Sequence, residues 1–397
     1  MSEYQHYQFA VDDPLTDGQL AEIRALTTRA RLTPHSFVNT YAWGDFKGNA
    51  RRLVETHYDA HLYFANWGIR RLILRWTAAA LPLNTAQAYC AGDSADTWES
   101  GGYILIALQS DNEDDPEDFN DLFGDDGDQD ERWLPSIARV RREVAEGDLR
   151  LLYLVWLLCA QAGELDQDDL EPPVPPGLGD LSKPLADLAA FLRIDEDLIQ
   201  AAAQRSSPPA PRPALADHQD WIAALDAEEK DVVLARLMHS GDLQPLRELR
   251  RRFQNAQTPA APTLARRTVA EIRAAVPAQR ARRISAEQQR EADERARTAR
   301  VQREAQERRL ATLRHDPEAA WQRVGELLAR RGTRHYPEVV RLLGDLAALA
   351  ERDKTTAEFS ERYADFIAGH HTKRALMRDL RAGGPACAAL IALIPGD

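Results

Sequence analysis

The spacing of apolar positions changes character several times along this chain. Near the start, Tyr7, Phe9 and Val11 alternate with polar neighbours, which predicts a half-buried strand over residues 4–11. Thr16 followed by Gln19 reads as a capping box, and Leu20, Ile23, Leu26 and Ala30 then recur at helical spacing before Pro34. Residues 36–43 return to strand character and 49–58 read as a short helix. Residues 61–65 and 70–76 read as two strands joined by a turn at Asn66-Trp67-Gly68. A short helix over 85–91 and an apolar strand over 103–108 follow. This order predicts a small sheet with helices on one face, an α+β head over residues 1–110.

From Trp133 the period is helical. Ile137, Val140 and Val144 make one stripe, and residues 149–162 are nearly all apolar, the mark of a central core helix. A helical domain over residues 132–256 is predicted, interrupted by proline-rich connectors at 171–177 and 206–213. Such segments can bind proline-reading modules, but simple connection is their commoner role. Trp221, Leu225, Val232, Val233 and Leu237, then Leu243, Leu246, Leu249 and Phe253, continue the helical pattern up to a breaker at 257–262.

Residues 278–316 contain no glycine and only the alanine, arginine, glutamate and glutamine-rich composition of a strong helix former. At about 1.5 Å per residue, one helix over this stretch is on the order of 55 Å long. The long charged helix is assigned to residues 263–316, starting at Thr263 or afresh after Pro277. Its large apolar residues, Ile284, Val301, Leu310 and Leu313, do not fall at heptad spacing. Glu291–Arg295, Asp293–Arg297 and Glu304–Arg308 are acid-first pairs four residues apart, which support a solvent-exposed or coiled-coil-like helix. A small C-terminal helical bundle over 317–397 follows. Asp316-Pro317 opens its first helix, Tyr336-Pro337 its second, a Thr355–Glu358 capping box its third and Thr372 its fourth. Residues 387–394 form an apolar tail.

Charge adds an asymmetry. The net charge is −13, yet residues from 241 onward carry 30 Lys and Arg against 21 Asp and Glu, leaving 20 against 42 before them. Residues 111–131 hold twelve acids and no base, which predicts a disordered, solvated acidic loop. The three cysteines are scattered, the start lacks a signal-peptide pattern, and no apolar run is long enough to span a bilayer, so a cytoplasmic protein is expected.

Residues 321–381 suggest a relationship. Tyr336-Pro337-Glu338-Val339-Val340-Arg341-Leu342-Leu343 and His371-x-Lys373-x-x-Leu376 resemble the helical tail of bacterial SWIM-type zinc-finger proteins and of uncharacterised bacterial proteins that share it. The N-terminal half is similar to an uncharacterised bacterial family of unknown function. The C-x-C and C-x-H zinc ligands of a SWIM finger are absent here, so the zinc and DNA connection that the resemblance implies is carried to no residue.

Candidate chemistry is sparse. His57 and His61 stand four apart, on one face if a helix continues through them, but without the glutamate of a zincin motif. Gly92-Asp93-Ser94 echoes a serine-hydrolase block with no partner motif. No phosphate-loop or dinucleotide pattern is present, so no catalytic, cofactor-binding or metal residue is assigned. Aromatic residues are dense between Tyr41 and Trp76 and serve as core or as binding anchors. Trp43, Asp45, Trp67 and Arg70 mark the place where a pocket is expected, and Arg250 and Arg251 mark a basic surface. The expected function is a non-enzymatic scaffold that spaces or recruits protein partners. The alternatives are an accessory factor that binds DNA or RNA through the basic C-terminal half, or an enzyme with its site in the aromatic head.

Overall fold

The computed structural model of the chain describes residues 4–27, 29–112, 133–209, 214–240, 244–257, 265–330 and 332–383. The fold is mainly α with an N-terminal α+β part, and it divides into two compact units, Met1–Arg283 and Ile284–Asp397. Most of the acidic run, Pro211 and Pro213, and the apolar tail lie outside the described residues.

In the first unit β1 (Gln5–Ala10), β2 (Arg31–Leu32), β3 (Ser36–Tyr41), β4 (Ala60–Ala65), β5 (Ile69–Thr77), β6 (Ala95–Ser100) and β7 (Tyr103–Asp111) form an antiparallel sheet. The strand order is β2-β3-β1-β4-β5-β7-β6. Two strands escape the sequence pattern. β2 has two residues, and β6 is an edge strand with only Ala95 buried, so neither shows an apolar alternation. Helices α1 (Asp17–Leu26), α2 (Ala50–Thr56) and α3 (Leu83–Gln87) lie between strands. The Thr16 capping box forms: Gln19 N donates to Thr16 Oγ1 at 3.4 Å, and Thr16 N donates to Gln19 Oε1 at 2.9 Å.

The expectation of helices on one face is corrected, because both faces carry a core. On one, Phe9, Phe37, Ile73 and Leu105 pack with Ile23 of α1 and Leu53 and Val54 of α2. On the other, Leu62, Phe64, Leu72, Leu74 and Ile106 pack with α4 (Trp133–Ile137), α5 (Val140–Ala145) and α6 (Arg150–Ala162). Every residue of β4 is buried, and apart from His61 its sequence is apolar or aromatic instead of alternating. Helix α6 is buried from Leu151 to Ala160. A helix apolar on all sides needs partners on all sides. It finds them in the sheet and in α7 (Lys183–Phe191) and α8 (Glu196–Ala203). The hydrophobic core thus crosses from the head into the middle helices without a break.

The first proline-rich connector is pinned inside this unit. Glu171 accepts from Arg267 Nε at 2.9 Å and Nη2 at 2.8 Å and from Tyr153 Oη at 2.8 Å. Arg267 also donates to the carbonyls of Ala201 and Ala202. Burial works against the Glu171 carboxylate, but the bonds from Arg267 and Tyr153 outweigh it and hold its pKa below the ordinary value. Helices α9 (Leu215–Ala223), α10 (Ala227–Ser240) and α11 (Gln244–Gln257) follow.

Helix α12 (Val269–His315) runs 47 residues and passes through Pro277 without a restart. A proline inside a helix removes one backbone donor and normally kinks or ends it. Here the first turns are held by other contacts: Val269 and Ile272 are in the core, and Arg280 and Arg283 both reach Asp197, which is 1% exposed. Nearly every residue over 284–308 is exposed. Glu291 and Arg295 pair as spaced, at 3.8 Å, whereas Glu304 meets Arg300 at 3.8 Å and Asp293 accepts from Gln289 at 2.8 Å.

The second unit adds α13 (Pro317–Ala329), α14 (Tyr336–Asp353), α15 (Thr356–His370) and α16 (Arg374–Gly383) around Val339, Leu343, Leu346, Tyr363 and Leu376. Asp316 Oδ1 accepts from Ala319 N at 2.9 Å, the cap its sequence implies. Thr355 makes no side-chain cap, contrary to the capping-box reading. Lys354 adopts a left-handed conformation to end α14, and Thr355 follows at φ −104°, ψ 27°, away from the extended geometry a capping residue uses. Among the described residues no helix is long and apolar enough to cross a membrane.

Candidate functional site

Antiparallel register places side chains in rows across the sheet, with directly opposed residues about 5 Å apart. One row reads Tyr7, Tyr63, Arg71 and Gln109 across β1, β4, β5 and β7. The next reads Phe9, His61, Ile73 and Ala107 on the same strands, with Asp96 of β6 beyond. Helices α1 and α2 pack against Phe9 and Ile73 of the second row, while the first row, with His61, Ile73 and Ala107 of the second, borders open space. The result is a cavity of about 560 Å³, floored by Tyr7, Tyr63 and Arg71, with Asp45, Trp67 and Asp93 at its margins. That volume suits a small ligand or one or two side chains of a larger one.

The two ends of the floor differ. At the β1 end, Tyr7 and Tyr63 rings lie 4.8 Å apart, tilted by 57°. Their hydroxyls both donate to Gln5 Oε1, at 2.8 Å and 3.1 Å. Gln5 Nε2 in turn donates to Asp45 Oδ1 at 2.6 Å and to the Gly44 carbonyl at 3.3 Å. This chain of bonds ties the Asp45 carboxylate to the aromatic pair through Gln5. Burial pushes both phenols up from the ordinary tyrosine value, and Asp45 adds to it, so both stay protonated and keep donating. At the β5–β7 end, the Arg71 guanidinium lies 5.7 Å from the Tyr63 ring centre and donates through Nε to Gln109 Oε1 at 2.6 Å. Among the described residues neither Asp45 nor Arg71 is paired with an opposite charge.

Two further groups line the cavity. His61 stacks on Phe9 at 4.1 Å, and its Nδ1 meets the Gln8 carbonyl at 2.8 Å. Burial lowers its pKa to about 4, so the ring is neutral at pH 7. Ser94 is tied by its Oγ to Glu164 Oε1 at 2.7 Å, and its backbone N–H faces the same carboxylate.

The residues singled out from sequence are separated by the fold. Asp45 and Trp67 line the cavity. Trp43 does not; it is 69% exposed, with Arg29 over its ring at 4.7 Å. Arg70 lies on the opposite face, because successive strand residues alternate and Arg71 takes the cavity side. It is buried and donates to the carbonyls of Ala190 and Phe191 at 3.2 Å and 2.7 Å, joining β5 to the end of α7. Arg250 pairs with Glu146 at 2.8 Å, and its neighbour Arg252 pairs with Glu229, so acids already meet these charges. The Arg251 side chain lies outside the described residues. His57 and His61 do not share a helical face: His57 ends α2 near Glu22, at 3.5 Å, while His61 sits in β4. Among the described residues no group of three His, Cys, Asp or Glu side chains could hold a metal ion.

Sequence reasoning missed Gln5, Tyr7 and Gln109. The alternation of Tyr7 and Phe9 was visible and shows that the two share a face, but not that one lies under a helix and the other under open space. No family model, curated protein or solved structure matches the chain.

Proposed function

We propose that the chain is a non-enzymatic interaction protein. Its head recognises a partner group in the sheet-face cavity, and its long charged helix and C-terminal helices recruit or space protein partners. The observation that carries this reading is the hydrogen-bonded run from Tyr7 and Tyr63 through Gln5 to Asp45. Each of these groups is spent on fixing its neighbour, an arrangement suited to holding a recognition surface rigid. The exposed stretch of α12, stabilised by its own pairs, supports a helix that stands in water and offers contact along its length.

Affinity purification of the full chain with quantitative mass spectrometry tests the reading. A stoichiometric protein partner is expected, and its recovery should drop at least tenfold with Tyr63→Ala. Recovery of no partner, or turnover of a small molecule that is lost with Tyr63→Phe, overturns it.

A further inference from the structure

Among the charges that line the cavity, Asp45 and Arg71 stand unpaired and of opposite sign on one aromatic floor, and this restricts what fits. Asp45 stands at the Tyr7–Tyr63 end, fixed by Gln5. Arg71 stands one strand beyond Tyr63 and is oriented by Gln109. From β1 to β5 is two strand spacings, roughly 10 Å. A purely cationic ligand would meet Asp45 and the ring faces but leave Arg71 repelling it. A purely anionic ligand would meet Arg71 and be repelled by Asp45. Of the neighbouring groups, Asp93 at the margin adds a carboxylate that makes no ion pair among the described residues, which favours a cation in the ligand further but leaves Arg71 unanswered. His61 is neutral, and Asp96 at the far edge already pairs with Arg51 at 3.2 Å.

Resting on the interaction reading above, we propose that this cavity binds an amphoteric group: a guanidinium or ammonium and a carboxylate held about one extended side chain apart. The cation lies against Asp45 and the tyrosine faces, where a charge-assisted hydrogen bond and ring quadrupoles both favour it. The carboxylate meets the outer nitrogens of Arg71, whose Nε is already engaged, and the guanidinium plane suits a two-point contact. The apolar stem between the charges crosses the Tyr63 ring. A free basic amino acid and the C-terminal arginine or lysine of a partner protein share this chemistry.

Isothermal titration of the full chain with three probes tests it: L-arginine, N-acetylglycyl-L-arginine and the carboxamide of that dipeptide. Binding of either acid, with the carboxamide at least tenfold weaker, is expected. Binding by free arginine alone makes the source a small molecule, and binding by the dipeptide acid makes it a chain terminus; both support the proposal. Asp45→Asn and Arg71→Gln are exposed changes and should each weaken the acid at least tenfold, while Arg71→Gln should leave the carboxamide unchanged. A carboxamide that binds as tightly as its acid, or no binding by any probe, overturns the proposal. Because partner recovery uses none of these probes, a chain that recovers its partner yet binds none of them loses the ligand class and keeps the interaction reading.

Discussion

His61 shows how a single side chain acquires its properties from position. In sequence it is one of two histidines with metal-like spacing. In the fold it is 2% exposed, stacked on Phe9, and its burial lowers its pKa to about 4. Buried His6 is lowered the same way, to about 3. The unfolded chain binds protons at these rings near pH 6.5 while the folded chain does not. Their contribution to stability is therefore complete above pH 6.5 and is lost as pH falls toward 4 for His61 and toward 3 for His6. The slope is about 1.4 kcal/mol per pH unit for each ring within that window. Urea midpoints measured at pH 7, 5.5 and 4.5 should fall less steeply for His61→Gln than for the unaltered chain. Equal slopes would mean the ring is accessible to protons in the folded state. The same dependence on position separates Arg70 from Arg71. Their sequence neighbourhoods are nearly identical, yet one pins a helix and the other lines the cavity.

At the level of elements, local signals succeeded where the backbone could obey them. Asp316-Pro317 and Thr16–Gln19 start helices as their chemistry dictates. Thr355–Glu358 has equally good composition but sits one residue after a left-handed turn, and the hydroxyl makes no cap. Asp316→Ala should therefore cost about 1 kcal/mol, and Thr355→Ala close to none. Thermal unfolding of the two variants side by side decides it; similar losses would show that the Thr355 cap forms after all. Strand detection followed the same logic. Residues 103–108 were visible because they are apolar, whereas β6 pairs fully with β7 yet carries polar side chains at an edge. Hydrogen bonding of the backbone leaves no trace in side-chain pattern.

For the whole molecule, the units have separate cores. Leu62, Leu154 and Ile272 belong to one cluster and Phe9 and Ile23 to a second in the first unit, while Val339, Leu343 and Tyr363 belong to a third in the other. Leu343 is fully buried, and truncating such a leucine costs about 2–5 kcal/mol. In calorimetry or urea unfolding, Leu343→Ala should move one transition and leave the one reporting on the first unit in place. A single transition that shifts as a whole would mean the units unfold together.

Read alone, the sequence determined the sequence-local features: the mainly α character, the N-terminal strands with strong apolar patterns, the long charged helix and the caps of α1 and α13. Each depends on propensity, period or a contact within four residues, and such information is carried by adjacent letters. The tertiary structure decided what depends on distant pairing. It placed helices on both faces of the sheet, carried one core from the head into the middle helices, and drove α12 through Pro277 by anchoring Arg280 and Arg283 on Asp197. It also assembled the cavity from Gln5, Asp45, Tyr63, Arg71 and Gln109, residues spread over more than a hundred positions. Strand register brings such residues together, and register follows from burial on both faces at once, which no local window contains.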